Sequence, residues 1–108
     1  MDRFTVKYAR FPEIISGTVL GMTEYIPEQG RYLVAIDSAR PEEEQRETLK
    51  HELAHILLHH SERSIEAELA ADRKAAEITD DQLNQILSFA DEIQYLTGHF
   101  DMKYHYIP

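Results

Sequence analysis

Lys50-His51-Glu52-Leu53-Ala54-His55-Ile56-Leu57-Leu58 sets two histidines four residues apart inside an apolar run, with a glutamate directly after the first. At ~100° per residue their side chains leave one face of an α-helix about 40° apart, one turn above the other. Two imidazoles so placed can meet one metal ion. Zinc takes nitrogen ligands at ~2.0–2.1 Å and is content with four partners, which suits two helical histidines, one carboxylate and a water. Glu52 would point near the ion without binding it, where its carboxylate could take a proton from the attacking water. In a chain rich in His and Glu the same five residues also arise by chance on a surface helix. Leu49, Leu53, Ile56 and Leu57 argue for the metal, because they form an apolar stripe that buries the helix and leaves the histidines at its edge.

Upstream, Ser38-Ala39-Arg40-Pro41-Glu42-Glu43-Glu44 reads as the start of this helix, with proline in the first turn and three acids at the positive end of the helix dipole. The pattern predicts a helix over about 41–60. His59 keeps the four-residue spacing but lies a further turn away, too far to share a tetrahedral site comfortably. With His60 it reads as a polar residue at the helix end.

Downstream, Ser61-Glu62-Arg63-Ser64 is a turn and cap, and a second helix follows over about 64–78. Its alanines allow two helices to approach closely. Glu68 and Asp72 share one face, and Glu68 comes thirteen residues after His55, the separation an antiparallel helix needs to return past the metal. Glu68 is the predicted third ligand, and Asp72 the acceptor for the free ring N–H of a liganding histidine. Glu66, about 200° around the helix from Glu68, is the substitute if the register shifts. The plain alternative is a solvated acidic face paired with Arg73 and Lys74.

Thr79-Asp80-Asp81-Gln82 restarts a helix. Leu83, Ile86, Leu87, Ala90, Ile93 and Leu96 then recur at helical spacing, predicting a third helix over about 80–97 ended by Gly98. In the tail, 98–108, His99, Tyr104 and His105 are candidate hydrogen-bond donors to the oxyanion of a hydrolysis intermediate. A tail of this kind is otherwise packed or frayed.

Toward the N-terminus, short strands are predicted over 4–9, about 17–26 and 31–37, the last two joined by Pro27-Glu28-Gln29-Gly30 into a hairpin. The hairpin's second strand is expected beside the cleft, where a strand edge could hold an extended peptide by main-chain hydrogen bonds. Alternatively the hairpin only covers the helix. The fold class is therefore α+β: a small N-terminal antiparallel sheet of about three strands packed on about three helices, the first carrying His-Glu-x-x-His, in one domain over 1–108.

Composition agrees with that scale. The chain has 108 residues, 43% of them hydrophobic, and no cysteine, so any zinc site must be built from His and carboxylate. No apolar run approaches the ~18 residues of a membrane span, and the first residues lack a signal peptide's apolar stretch, so a cytoplasmic location is expected. A net charge of −9 argues against direct nucleic-acid binding.

Taken together, the strand Gly30–Asp37, the run Glu43–His60 with its His-Glu-x-x-His, and Glu68 followed by Ala71-Asp72-Arg73 and Ala75-Ala76 resemble the ImmA/IrrE-type zinc metallopeptidases. The resemblance covers about residues 17–79. Ala70 and Lys74 stand where many members carry a second acid and an aromatic residue. The resemblance implies a compact α+β relative of the gluzincins with one zinc per chain, His51 and His55 as ligands, Glu52 as general base and acid, and Glu68 as third ligand. It also implies a protein substrate, in this family often a helix-turn-helix repressor of a phage or mobile element. A zinc-dependent peptidase is the expected function. The rival expectations are a catalytically inactive metal-binding module for protein–protein interaction and a metal-free helical interaction protein.

Overall fold

Tyr32, Val34 and Ile36 alternate with Leu33 and Ala35 along one strand, and all five are buried. Successive side chains of a strand point to opposite faces, so this strand must be covered on both. A computed structural model of the chain, which describes residues 1–12, 18–60 and 64–99, meets that demand with a single sheet. Its elements in order are β1 (Phe4–Arg10), β2 (Gly21–Ile26), β3 (Arg31–Asp37), α1 (Glu42–Leu57), α2 (Ile65–Glu77), α3 (Asp80–Leu87) and β4 (Glu92–His99). The strands lie in the order β2-β3-β1-β4. Tyr32, Val34 and Ile36 join Phe4 and Val6 of β1 and meet Leu49, Leu53 and Ile56 of α1, together with Ile78 and Leu83. Leu33 and Ala35 turn the other way, onto Ala9, Phe11 and Met22, with Val19 and Ile26 packed alongside.

β2 and β3 form the expected antiparallel hairpin, Gly21 opposite Ile36 and Ile26 opposite Arg31. At its turn Gly30 takes φ +62°, a conformation open to glycine without strain, and its N–H donates to the Ile26 carbonyl at 2.9 Å. Buried Asp37 closes the end of β3, its Oδ1 accepting from the amides of Phe11 at 3.2 Å and Ala39 at 3.0 Å. Of the strand expected over 17–26, Gly21–Ile26 is strand; Gly17, like 13–16, lies outside the described residues.

Two expectations about the sheet and the last helix are corrected. The sheet is mixed, not antiparallel: β1 runs parallel to β3, Phe4 opposite Tyr32, and parallel to β4, Thr5 opposite Glu92. The composition of β1 does not encode its neighbours' direction, which the connections set instead: the chain passes through β2 before β3 pairs with β1, and through the three helices before β4 does. The third helix also does not reach 97. It stops at Leu87, the amides of Phe89 and Ala90 bond back to Ile86 and Leu87, and the Asp91 N–H donates to the Phe4 carbonyl at 2.8 Å. Glu92–His99 then becomes the fourth strand, with Gly98 inside it rather than ending a helix. Ile93 and Leu96 fit a helical spacing, but Ile93, Tyr95 and Thr97 equally fit an alternation of strand-forming residues. The edge of β1 decides between them, because its main-chain groups need partners. Tyr95 stacks on Tyr8 across the pair, ring centroids 4.8 Å apart.

The helices hold one face of the sheet. α1 opens behind Pro41 with Glu42, Glu43 and Glu44 in its first turn, and ends at Leu57, three residues short of the expected 60. α2 is capped by the Ser64 hydroxyl, which accepts from the Ala67 N–H, and α3 by a capping box between Thr79 and Gln82. Lys50 ties α1 to the start of α3 through Asp80 at 3.0 Å. Among the described residues no helix is long and apolar enough to cross a membrane.

Candidate metal centre

His51 and His55 lie on the side of α1 that faces α2, and the two helices meet through Ala67 and Ala71, both buried. Small side chains bring the helix axes close, so that Glu68, next to Ala67, reaches back across the gap. Its Oε2 lies 2.8 Å from His51 Nε2 and its Oε1 3.4 Å from His55 Nε2, while the two histidine Nε2 atoms are 3.3 Å apart. One turn further on, Asp72 Oδ1 lies 2.8 Å from His51 Nδ1. His51, His55 and Glu68 offer ligand atoms that all fall within 4.8 Å of one another.

Glu52 is buried beside this group, 8% exposed. The Thr23 hydroxyl donates to its Oε1 at 2.8 Å and lies 3.1 Å from its carbonyl oxygen, which joins β2 to α1. Gly21 makes that contact possible. A Cβ there would come within 2.6 Å of Thr48 Cγ2 and 3.2 Å of Glu52 Cγ, so any larger residue would push the strand off the helix. A cleft of about 1200 Å³ runs along β2 above these groups, with Met22, Tyr25, Ile65 and Leu69 among its apolar lining. The strand beside the cleft is thus the first of the hairpin, not the second as expected. β3 sits between β2 and β1 and has no edge to offer.

The remaining sequence candidates separate from the group. Glu66 is exposed and outside it. His59 turns outward, 74% exposed, to Asp2 Oδ2 at 2.9 Å. His99 ends β4 in register with Arg10; its side chain, like Tyr104 and His105, lies outside the described residues. Two participants were missed by the sequence reading. His60, assigned to the helix end, places Nδ1 3.0 Å from His55 Nδ1. Thr23 had a legible signal, since Gly21 and Thr23 are the small members of a period-2 strand and a helix packs most closely over small residues.

The cluster offers His51 more acceptors than one ring proton can serve. An ionised carboxylate only accepts, and a neutral imidazole carries one N–H. Both ring nitrogens of His51 face carboxylate oxygens at 2.8 Å, so one of the two contacts needs a second proton or another cation. Burial pulls the His51 pKa down, but the charges of Glu52, Glu68 and Asp72 outweigh it and hold the ring above its ordinary value. Burial also lowers His55, where the neighbouring His51 and His60 rings add to the effect and Glu68 opposes it. The surrounding acids thus draw positive charge toward His51, while burial disfavours it at His55.

Residues 6–107 match the family model of the IrrE N-terminal-like domain, a peptidase family. The chain belongs to this family. Neither the curated proteins nor the solved structures returned a match. For an IrrE N-terminal-like domain, the His51, His55 and Glu68 group points to a metal, and the donors fit one. Ligands at ~2.0–2.1 Å around a tetrahedral ion are separated by about 3.3–3.4 Å. The 3.3 Å and 3.4 Å separations at His55 Nε2 match that spacing, and the 2.8 Å between His51 and Glu68 needs only a small opening.

Proposed function

We propose that the chain is a zinc-dependent peptidase that hydrolyses a peptide bond in a protein substrate. The observation that carries this reading is the convergence of His51, His55 and Glu68 within 4.8 Å, beside buried Glu52, on the floor of one cleft. The donor set is two nitrogens and one carboxylate with no thiolate, which leaves a fourth place open, as catalytic zinc sites do. When bound, zinc supplies the Lewis acidity that polarises a carbonyl and brings a water's pKa toward ~7.

The chain's own residues do the rest. Asp72 holds the His51 proton on Nδ1 and so keeps Nε2 free to bind. Thr23 fixes one oxygen of Glu52, leaving the carboxylate in one orientation above the histidines. Glu52 takes a proton from the water whose oxygen bonds to the scissile carbon, and delivers it to the amine nitrogen as the C–N bond breaks. The substrate strand is held by β2. Leu20 accepts from the Asp37 N–H, so by the alternation of an antiparallel pair Gly21, Thr23 and Tyr25 turn their main-chain groups away from β3 and toward the cleft side. An extended segment could pair there. The resemblance to ImmA/IrrE-type peptidases nominates a DNA-binding helix-turn-helix repressor as that substrate.

Replacement of Glu52 by Gln tests the reading, because it keeps the shape and removes the base. The variant should retain close to one zinc per chain and lose cleavage of a co-encoded repressor. Cleavage at the parent rate would remove Glu52 from the mechanism, and a parent chain that takes up no zinc would remove the peptidase reading itself.

A further inference from the structure

The end of α1 is a Schellman turn. His59 takes φ +56°, its N–H donates to the Ile56 carbonyl at 3.0 Å, and the His60 N–H donates to the His55 carbonyl at 2.9 Å. These are the two bonds of that motif, with His59 in the left-handed position after the cap. The motif brings its last residue over the third residue from the helix end, and the pair is ordinarily apolar. Here the pair is His60 over His55, ring centroids 5.2 Å apart and rings inclined by 61°.

We infer that His60 is the positioning residue for His55: its Nδ1 accepts the N–H of His55 Nδ1 and so fixes the tautomer and ring angle of that buried histidine. The inference rests on the reading that His55 binds the metal through Nε2. Nε2 is the nitrogen that faces His51 Nε2 at 3.3 Å and Glu68 Oε1 at 3.4 Å, so its lone pair is the one available to an ion. The ring proton must then sit on Nδ1. His55 is 10% exposed, and a buried N–H without an acceptor costs stability. Among the described residues, the group within hydrogen-bond distance of that nitrogen is His60 Nδ1, at 3.0 Å. For the bond to form, His60 keeps its own proton on Nε2. The two histidines of α1 are thus held by different partners, His51 by the Asp72 carboxylate and His55 by a neutral imidazole that the helix cap itself delivers.

Three variants test this in the full chain: His60→Ala, His60→Asn and, as a control for the turn, His59→Gly. Zn2+ affinity is measured by competition with a chromophoric chelator, the visible spectrum of the Co2+-substituted protein reports ligand geometry, and circular dichroism of the metal-free protein checks the fold. His60→Ala should weaken Zn2+ binding about 10–100-fold, as loss of an outer hydrogen-bond partner does, and shift the Co2+ bands. His60→Asn should recover most of both, since Asn Oδ1 can occupy the place of His Nδ1 and accept the same proton. His59→Gly should match the parent. Parent-like affinity and spectrum in His60→Ala would overturn the assignment while leaving the metal site intact, as would His60→Asn binding no better than His60→Ala. A parent protein that binds no Zn2+ would instead bring down the peptidase reading, and the role of His60 with it.

Discussion

α2 and α3 both pack against the rest of the domain beside α1, yet they are held by different forces. α3 inserts Leu83 into the main core, with Ile86 and Leu87 packed against it. α2 buries only Ala67 and Ala71, while Ile65 and Leu69 stay 77% and 53% exposed. A buried methyl group contributes roughly 0.8 kcal/mol and a buried leucine about 1.5–3. The helix that carries Glu68 and Asp72 is therefore the weakly packed one, and it is the one whose side chains reach His51. Close approach through alanine is what places those carboxylates at the histidines, and weak apolar attachment is its cost.

The largest effect that would break this contrast is removal of the α2 carboxylate. Glu68→Ala should abolish hydrolysis and weaken metal binding by more than the roughly 10–100-fold that follows loss of an outer partner. The fold should survive, because α1, α3 and the sheet keep their shared core. A zinc titration monitored alongside thermal unfolding checks both halves. Near-parent zinc affinity would mean that α2 does not complete the site.

Next comes the opposite substitution, on the helix held by its apolar face. Leu83→Ala should cost about 2–5 kcal/mol of unfolding free energy, the range for truncating a buried leucine. Zinc affinity measured well below the unfolding transition should change little, since Leu83 packs in the main core and is not one of the donors. Chemical denaturation followed by zinc titration of the folded protein would separate the two.

What could be read from the chain divides along a related line. The pairs His51/His55 and Glu68/Asp72 are i, i+4 relations within single helices, and helix geometry alone puts each pair on one face. β3 was equally legible, because Tyr32–Ile36 is apolar throughout and bounded by turn residues. The direction of β1, and the strand at Glu92–His99, were not, because both depend on pairings between residues far apart in the chain. Ile93 and Leu96 satisfied a helical period by coincidence, and local spacing held nothing to reject it. His60 escaped notice for another reason: its contact with His55 needs a left-handed residue at 59, and histidine is not the residue that announces one.

Metal removal sharpens the contrast without changing a residue. A ligand bound only by the folded state adds about 2.7 kcal/mol when its concentration is 100 times its Kd. Hydrogen exchange should show that gain most strongly in the amides of α2, with chelation returning them to fast exchange before those of α3 and the central strands. Equal loss of protection in α2 and α3 would mean the two helices open as one unit.

The smallest expected effect comes from filling the alanine contact. Ala71 is fully buried against α1, so Ala71→Leu has no space for its added carbons and must push α2 outward, at a cost of about 1–3 kcal/mol. Glu68 and Asp72 ride on the same helix, so an outward shift carries their oxygens away from His51, and zinc affinity should fall together with stability. The matching change on α3, Leu83→Met, conserves volume and should cost less than about 1.5 kcal/mol with zinc affinity unchanged. If Ala71→Leu lowered stability but left zinc binding at the parent level, α2 would have to yield elsewhere along its length, and the close contact at Ala71 would not be what sets the distance between the carboxylates and the histidines.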